Sequence, residues 1–424
     1  MSKGQLSQEI EKRIYEAAIP IRLRLDPTDS IELTSTPSLP SHFQTFHLIL
    51  FLFKKKFINS FLKILGHRNS YFPFLFSKIK EQWLIPLLLL ENNAGTSKFS
   101  SKTPNLDQEL GIRENEFWLE YNGTPLKWHY PIGLLYDIEV LAGKKPTIKE
   151  KPTSTLEAAI ESHMKTQNIT KNEKNLPLTS PWDLVLHLRK YPNDKIIKSP
   201  SIDLLKSMYM FSLKEADFIR HGSSKRVMEL SKIDQTELLD GLSTHKMSTF
   251  ILVRHLLGLY TSKFDWSTIE SGPTLKFEKI PIGLPKAIPV KLYFNGSDSF
   301  SEDRYVVFQA PVSPIQNTIP INNIFGEPQP SEYRFTNLFD AIDSLINENN
   351  SLHNVIYKNI PQQSTLDGSN SQGSPFTQNN SNWTAFWDCT LQGINLSPNI
   401  PLLWLSDNLS YPDSFLHIVL SKKK

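Results

Sequence analysis

The chain has 424 residues, 39% of them hydrophobic, which is long enough for two or three domains with cores of their own. Its formal net charge of +3 is small for this length and argues against a protein held to nucleic acid mainly by electrostatic attraction. Cys389 is the only cysteine, which excludes a disulfide framework and a cysteine-based zinc site and is typical of a reducing compartment.

The N-terminal region begins with a polar stretch, MSKGQLSQEIEKR, which lacks the apolar core of a signal peptide. Residues 19–26 (IPIRLRLD) alternate apolar and basic side chains, which predicts a β-strand. The most apolar run, residues 46–53 (FHLILFLF), is too short to cross a bilayer, which takes about 20 helical residues. We interpret residues 46–66 as a buried strand followed by an inserted helix, with a membrane-surface helix as the alternative. Residues 70–83 (SYFPFLFSKIKEQW) are predicted to be helical.

Two short runs, FWLEY and TPLKWHY, are joined by the Asn-Gly pair at residues 122–123. Such a pair between two alternating runs is the strongest short-range signal for a β-hairpin. In the second run Leu126, Trp128 and Tyr130 are predicted to share one face. The following PIGLLYD (residues 131–137) is predicted to enter a short helical turn. The stretch concentrates aromatic, histidine and lysine side chains, but its pattern is that of a folding unit.

A similar series of segments occurs twice along the chain. Each series contains a strand, a second strand, a helix, a hairpin, a short helical turn and a long final strand. The matching pieces are IPIRLRLD with IPVKLYF, FWLEYNGTPLKW with TAFWDCTLQGINL, and PIGLLYDIEV with PLLWLSDNLS. The second helix, FTNLFDAIDSLI, has Thr336 as its predicted N-cap and an apolar stripe at Leu338, Ile342 and Leu345. This ββαββ order, with a last strand that returns to the sheet centre, is that of the ubiquitin-like β-grasp fold.

Between the two series the apolar period changes to that of helices. The first helix is predicted to have Pro200 at its first position and to stop at Gly222. Asp234 and Glu237 predict the capping box of a second helix, and a third is predicted over residues 246–257. The buried stripe predicted for the first helix consists of Ile202, Leu205, Tyr209, Ser212, Ala216 and Ile219.

The sequence therefore predicts an α+β protein in which two ubiquitin-like β-grasp domains flank a helix-rich domain. The predicted domains are residues 14–198, 199–265 and 278–424. Segments that are rich in polar residues or interrupt the pattern are predicted to be insertions. They lie near residues 49–66, 91–110 and 143–176 in the first domain and at 362–382 in the last.

No group of side chains stands out as a catalytic, metal or cofactor site. Cys389 lies in a predicted hairpin strand without an adjacent histidine, which favours a buried structural residue over a catalytic thiolate. His187 and His417 occupy matching strand positions, and we assign them structural roles because no second metal ligand is spaced nearby. Asp137 and Asp407 also recur and are interpreted as turn or cap residues.

Three stretches resemble a known family. EYNGTPLKWHYPIGLLYD and PLLWLSDNLSYPDSFLHIVL are similar to the two signatures of the autophagy protein 5 family, and SLKEAD (residues 212–217) is a third point of similarity. The similarity is poor around residues 49–66, which are either a lineage-specific insertion or a mistranslated segment. The sequence ends in LSKKK, whereas a transferable ubiquitin-like modifier needs a flexible C-terminal glycine, so an acceptor or scaffold is expected.

The resemblance implies that a lysine of the helix-rich domain is joined by an isopeptide bond to the C-terminal glycine of autophagy protein 12, a ubiquitin-like modifier. By its position in SLKEADFIR this lysine is Lys214. Helix geometry permits the assignment, because Lys214 lies roughly 180° around the helix from Leu205. On geometry alone Lys206 and Lys225 remain rivals. The carboxylate of Glu215 favours the protonated amine, so the conjugating enzyme is expected to activate the lysine.

The resemblance also implies a non-covalent partner, autophagy protein 16, whose N-terminal helix lies in a groove made by all three domains. The assembly is expected to promote conjugation of autophagy protein 8 to phosphatidylethanolamine, acting like a ligase without a catalytic residue or cofactor of its own. It is expected in the cytoplasm and peripherally at the membrane of the preautophagosomal structure, with no nucleic-acid partner.

Two matters remain open at this point. Arg22, Arg24, Lys78 and Lys80 are candidates for contact with the membrane, and ordinary solvated side chains are the alternative. Two other functional classes also compete: a transferase that uses Cys389 or a histidine, and a ubiquitin-like adaptor without covalent attachment.

Overall fold

The computed structural model describes residues 3–29, 61–86, 113–141, 181–198, 200–257, 276–277, 283–295, 305–318, 332–357 and 383–423. Structural statements below refer to these residues. The apolar run at 46–53 and the predicted insertions near 91–110, 143–176 and 362–382 lie outside them.

The first domain is a five-stranded sheet covered by short helices. Its strands are β1 (Ala18–Leu25), β2 (Phe61–His67), β3 (Trp118–Tyr121), β4 (Thr124–Pro125) and β5 (Trp182–His187). Its helices are α1 (Lys3–Glu16), α2 (Pro73–Ile79, continued as a π-helix over Lys80–Leu84) and α3 (Ile132–Tyr136, continued likewise over Asp137–Leu141). The strand order is β2-β1-β5-β3-β4, and the central pair β1 and β5 is parallel. The last strand therefore returns to the sheet centre, as the β-grasp prediction requires.

The interpretation of an inserted helix is wrong for the end of the segment at 49–66. Phe61–His67 is the edge strand β2, antiparallel to β1, and so forms part of the domain. The alternation of buried and exposed side chains explains why this segment is a strand. Leu62 and Ile64 pack against the domain core, while Lys63 is exposed on the other face. A short apolar run with one lysine fits a strand as well as a helix, so its periodicity was ambiguous.

Over the described residues 200–257, the helix-rich domain contains four helices. They are α4 (Ile202–His221), α5 (Lys225–Met228), α6 (Lys232–Thr244) and α7 (Met247–Leu256). The side chain of Ser201 caps α4, so the predicted first-position proline lies before the cap. Gly222 ends α4 in the left-handed conformation with φ of 75°, as predicted. The capping box of α6 joins Ser231 to Asp234 instead of Asp234 to Glu237.

The second ubiquitin-like domain repeats the first sheet and adds a smaller one. Its strands are β6 (Lys276–Phe277), β7 (Ile288–Asn295), β8 (Tyr305–Val312), β9 (Ile315–Thr318), β10 (Glu332–Phe335), β11 (Trp387–Leu391), β12 (Ile394–Asn395) and β13 (Leu416–Lys422). Its helices are α8 (Leu338–Glu348), α9 (Asn350–Tyr357) and α10 (Leu402–Leu409). The main sheet has the order β12-β11-β13-β7-β8, with β7 and β13 parallel at its centre. The second sheet, β6-β10-β9, was not predicted.

The predicted helix of the second domain begins one residue later than expected. Asn337, and not Thr336, is the N-cap of α8, and its side chain accepts a hydrogen bond from the Asp340 backbone N–H. The predicted stripe of leucine and isoleucine side chains is buried, as expected for a helix that packs on its sheet.

The three domains share side chains at their junctions. Leu134, in α3 of the first domain, and Ile138 after it belong to the hydrophobic core of the second domain. The polar N-terminal stretch forms α1, which was not predicted, and its Ile14 packs against the same core. The hydroxyl of Tyr15 donates to the carbonyl of Gly241 in the helix-rich domain at 2.6 Å. The first domain is therefore held in contact with both of the others.

Candidate functional site

Helix α4 is the element that presents Lys214, and its inner side is bonded to the second ubiquitin-like domain. The hydroxyl of Tyr209 donates to the carbonyl of Pro412 at 3.1 Å. The guanidinium of Arg220 donates to the hydroxyl of Ser406 at 2.6 Å. The buried side chains of α4 are Leu205, Tyr209, Met210, Leu213, Ala216, Asp217 and Arg220. Of the predicted stripe, Leu205, Tyr209 and Ala216 are buried, Ser212 and Ile219 are partly buried, and Ile202 is 47% exposed.

Lys214 lies on the outer side of α4 between two exposed phenylalanines. Phe211 is 68% exposed and Phe218 is 60% exposed, and they stand three residues before and four residues after the lysine, on the same helix face. The Nζ atom of Lys214 is 5.6 Å from the centre of the Phe211 ring. That distance allows a cation–π contact. The lysine amine is thus displayed on an aromatic surface.

A cleft of about 370 Å³ opens beside this surface where the three domains meet. Its lining residues are Tyr71, His129, Tyr130, Pro131, Leu205, Met208, Tyr209, Phe211, Ser212, Glu215, Lys291, Asp413 and His417. Phe211 and Glu215, the neighbours of Lys214 on the helix surface, therefore form part of its wall. The carboxylate of Glu215 accepts a hydrogen bond from the amide of Gln309 at 2.6 Å, which ties the outer side of α4 to β8.

The two rival lysines have different surroundings. Lys206 is half-buried earlier in α4, and Lys225 is exposed at the start of α5 with its Nζ 3.4 Å from Glu229 Oε1. Exposure alone does not single out Lys214, which is itself half-buried. The pair of exposed phenylalanines on its face does distinguish it.

Asp137 is the C-cap residue of α3, which agrees with the predicted cap role, whereas Asp407 is not a cap. Asp137 is fully buried, and both of its carboxylate oxygens lie 2.5 Å from Nη2 of Arg68. Burial raises the pKa of this carboxyl, and the charge of Arg68 acts against the rise. Asp407 lies inside α10. Burial lowers the pKa of the Arg220 guanidinium to about 10, and the charge of Asp407 opposes that change.

The two matched histidines have different surroundings. His417 is buried, with Nε2 2.9 Å from Asp413 Oδ2 and Nδ1 2.8 Å from the Tyr293 hydroxyl, which agrees with a structural role. His187 instead lies near Asp26 and Asp29, whose potential ligand atoms are within 4.8 Å of one another and of the imidazole. No second ligand is near His187 in the sequence, but the structure brings two carboxylates beside it. The aspartates are distant in sequence and are brought to His187 by the parallel pairing of β1 and β5.

Cys389 is a buried strand residue, as predicted. It lies in β11 and is 4% exposed. Burial raises the pKa of its thiol to about 12, with Asp388 adding to the rise. The thiol therefore stays protonated near neutral pH, which does not favour nucleophilic chemistry.

The four basic residues considered for membrane contact are not equivalent. Lys80 is only 7% exposed and its Nζ lies 3.4 Å from Glu114 Oε1, so its assignment to an outer surface is wrong. Arg22 is half-buried in an ion pair with Asp183. Arg24 and Lys78 are exposed. Among the described helices, none combines the length and hydropathy that a membrane span requires.

Comparison with known proteins places all three domains in one family. The family models described as "Autophagy protein ATG5, UblA domain", "alpha-helical bundle region" and "UblB domain" match residues 14–188, 202–258 and 287–420. Autophagy protein 5 of Oryza sativa subsp. indica is 26% identical over 438 residues, which cover 97% of this chain and 93% of the relative. Autophagy protein 5 of Arabidopsis thaliana is 24% identical and covers 97% of each chain.

Two further similarities were found. Autophagy protein 5 of Drosophila melanogaster is 25% identical over 73% of this chain and 76% of its own. The crystal structure of Kluyveromyces marxianus Atg5 covers 97% of this chain and 99% of its own, at 18% identity and a TM-score of 0.49. Because the family models match both ubiquitin-like domains and the helical region between them, the chain belongs to the autophagy protein 5 family and has a role in autophagy.

Proposed function

We propose that this protein is the acceptor of autophagy protein 12, attached by an isopeptide bond to Lys214. The observation that supports this most directly is the position of Lys214 on the outer side of α4, between the exposed Phe211 and Phe218. A conjugating enzyme must reach the amine and hold the modifier against the surface around it. Exposed aromatic side chains provide apolar area for such a contact.

In the proposed reaction the neutral amine of Lys214 attacks the thioester carbonyl that joins the modifier's C-terminal glycine to a cysteine of the conjugating enzyme. A carbon–nitrogen bond forms, the carbon–sulfur bond breaks, the thiolate leaves, and the amine loses a proton. The neighbouring carboxylate, that of Glu215, is engaged by the amide of Gln309. We therefore assign deprotonation of the lysine to the conjugating enzyme.

The conjugate is proposed to act with autophagy protein 16 in promoting the attachment of autophagy protein 8 to phosphatidylethanolamine. All three domains are proposed to form the groove that binds the helix of autophagy protein 16. Such a groove requires that the domains keep their relative positions. The hydrogen bonds from Tyr15 to Gly241 and from Tyr209 to Pro412 support such a composite groove. In this role the protein is a non-catalytic subunit of a ligase-like assembly.

The proposed acceptor is tested by the Lys214→Arg variant expressed in cells that contain the conjugation system. We expect the higher-mass conjugate to disappear on a denaturing gel while the purified variant keeps its unfolding midpoint. Lys206→Arg and Lys225→Arg are matched controls and should keep the conjugate. Mass spectrometry of the wild-type protein should detect a branched peptide at Lys214. A conjugate that persists in Lys214→Arg would refute the assignment.

The competing functional classes give different outcomes. A thiol transferase requires Cys389, so full autophagy protein 8 lipidation with Cys389→Ser would eliminate it. The buried thiol leads us to expect that result. A non-covalent adaptor would give no higher-mass band in wild-type cells, whereas we expect one.

The peripheral position at the preautophagosomal membrane is also proposed, with Arg24 and Lys78 as the exposed candidates. Reversal of both charges should weaken flotation with liposomes that contain anionic lipid. The matched control is Lys80→Gln, because Lys80 is buried. Unchanged flotation of the charge-reversed variant would exclude these two residues.

A further inference from the structure

The ends of the two central strands of the first domain bring three metal-binding side chains together. In the parallel pair β1 and β5, Leu25 stands opposite Leu186, so the next residues, Asp26 and His187, are neighbours. Asp29 follows in the turn after β1. One carboxylate oxygen from each aspartate and one nitrogen of His187 all lie within 4.8 Å of one another. This group involves neither Lys214 nor the cleft beside it.

The imidazole of His187 is oriented by groups on its far side. Its Nε2 lies 3.1 Å from Glu120 Oε2, and its ring stacks on Trp118 at 3.7 Å with an angle of 6° between planes. The other oxygen of Glu120 accepts from the backbone N–H of Gly123 in the hairpin turn at 3.1 Å. A carboxylate can only accept, so Nε2 carries the hydrogen, and in the neutral ring the lone pair is on Nδ1. A carboxylate that orients an imidazole in this way is the usual partner of a metal-bound histidine.

The aspartates use their other atoms to hold the turn. Oδ1 of Asp26 accepts from the backbone N–H of Thr28 at 2.8 Å, while its Oδ2 faces His187. Asp29 is 3% exposed and accepts from the backbone N–H of Leu188 at 2.7 Å. Both carboxylates are therefore kept in place by the chain itself. Two carboxylates held beside the imidazole would attract a cation placed between them.

The three groups are close enough to reach one ion, and His187 and Asp26 are too far apart for a direct hydrogen bond. Nδ1 of His187 is 3.8 Å from Oδ2 of Asp26, which is longer than a hydrogen bond. Ligand atoms of one tetrahedral zinc ion lie roughly 3.3 Å apart, for bonds of about 2.0 Å. Because no two of the three ligand atoms are more than 4.8 Å apart, side-chain rotations that shorten these distances by at most roughly 1.5 Å would give that spacing.

We propose that Asp26, Asp29 and His187 bind one divalent transition-metal ion, and that zinc is the ion the donor set fits best. Two carboxylates and an imidazole suit zinc, whereas calcium and magnesium prefer sites made of oxygen alone. The ion would join the turn after β1 to the end of β5 and so stabilise the first domain. The opposing explanation is that a protonated His187 bridges Asp26 and Glu120 without any metal.

The test is zinc titration of the tag-free, full-length protein by calorimetry after treatment with a chelator. We expect one equivalent of zinc to bind and the thermal midpoint to rise on binding. His187→Gln should weaken zinc binding at least tenfold. Glu120→Gln, which acts only through the orientation of His187, should weaken it about tenfold to a hundredfold. His353→Gln, at an exposed histidine of α9, is the matched control and should bind zinc as the wild type does.

Cobalt provides a second readout, because a bound tetrahedral ion gives a visible absorption band that scattered surface binding does not. The band should appear with the wild type and vanish with His187→Gln. Circular dichroism of the metal-free variants checks that each is folded. If His187→Gln does not fold, Asp26→Asn decides, since its amide oxygen can still accept from Thr28. Equal zinc affinity in the wild type and the deciding variant, or no cobalt band with the wild type, would overturn the proposal.

Discussion

The hairpin of the first ubiquitin-like domain turns at Asn122 and Gly123, and that of the second turns at Gln392 and Gly393. The backbones are nearly the same, with φ of 50° and 78° in the first turn and 53° and 76° in the second. These pairs of positive φ are typical of the two-residue turns that match the twist of β-strands. The first turn is exposed, whereas Gln392 is only 5% exposed.

The second turn is part of the junction between the two ubiquitin-like domains. The amide of Gln392 donates to the side-chain oxygen of Asn69 at 2.8 Å. The backbone N–H of Gly393 donates to Asp137 Oδ2 at 2.9 Å, beside the ion pair of Asp137 with Arg68. The two turns therefore share the same backbone conformation, with two successive residues at positive φ. Only the second turn also contributes to the contact between domains, because it packs against the first domain.

Breaking the ion pair at this junction should have the largest effect. Asp137→Ala leaves the buried guanidinium of Arg68 without its partner, and we expect the free energy of unfolding to fall by about 3–5 kcal/mol. The matched control is Asp183→Ala, which removes the partner of the partly exposed Arg22 and should cost at most about 1 kcal/mol. Urea unfolding of the two variants measures the difference. Equal losses would contradict a special role for the junction.

The second prediction compares the two turn glycines directly. Alanine at either position is strained by the positive φ, at about 1 kcal/mol. At Gly393 the added Cβ would also lie 2.9 Å from the guanidinium of Arg68, whereas nothing lies within 4 Å of one at Gly123. We expect Gly393→Ala to cost about 2–3 kcal/mol and Gly123→Ala about 1 kcal/mol. The same unfolding measurement applies, and a larger loss at Gly123 would refute the comparison.

The third and smallest effect concerns the residue two positions before the proline that opens each helical turn: His129 in the first copy and Asn399 in the second. Burial lowers the pKa of His129 to about 4, and Lys127 and Lys291 contribute. The unfolded chain, with a pKa of about 6.5, binds more protons than the folded protein between these values. His129 therefore does not lower the free energy of unfolding well above pH 6.5. As the pH falls from there towards 4, it lowers the free energy of unfolding progressively.

His129→Asn, which copies the second domain, should flatten this dependence. Between about pH 7 and about pH 5 the wild type should lose roughly 1–2 kcal/mol more stability than the variant. Burial also lowers the pKa of His245 to about 4, and His67 and Lys78 contribute. Part of the dependence of stability on pH therefore remains in both proteins. Thermal or urea unfolding across this pH range gives the two slopes. Parallel slopes would show that His129 does not contribute.

Features that depend on neighbouring residues were predicted well. The first hairpin turn, the stop of α4 at Gly222 and the buried stripe of α8 follow from turn chemistry and periodicity within a few residues, and the second hairpin followed from its match to the first. The order of elements in each copy was enough to predict the β-grasp arrangement, because that fold has one characteristic position for its last strand. The predictions were weakest where a segment is short or polar, as in α1 and β2.

The sequence by itself determined the repeated secondary structure, the helical region between the copies and the position of Lys214 on the outer side of α4. These follow from spacings of one to four residues, which a helix or strand translates directly into faces. Only the tertiary structure decided that Asp137 meets Arg68 and Gly393, that Tyr15 reaches Gly241, and that Asp26 and Asp29 lie beside His187. Those partners are separated by tens to hundreds of residues, and their approach depends on how sheets and domains pack, which no local pattern encodes.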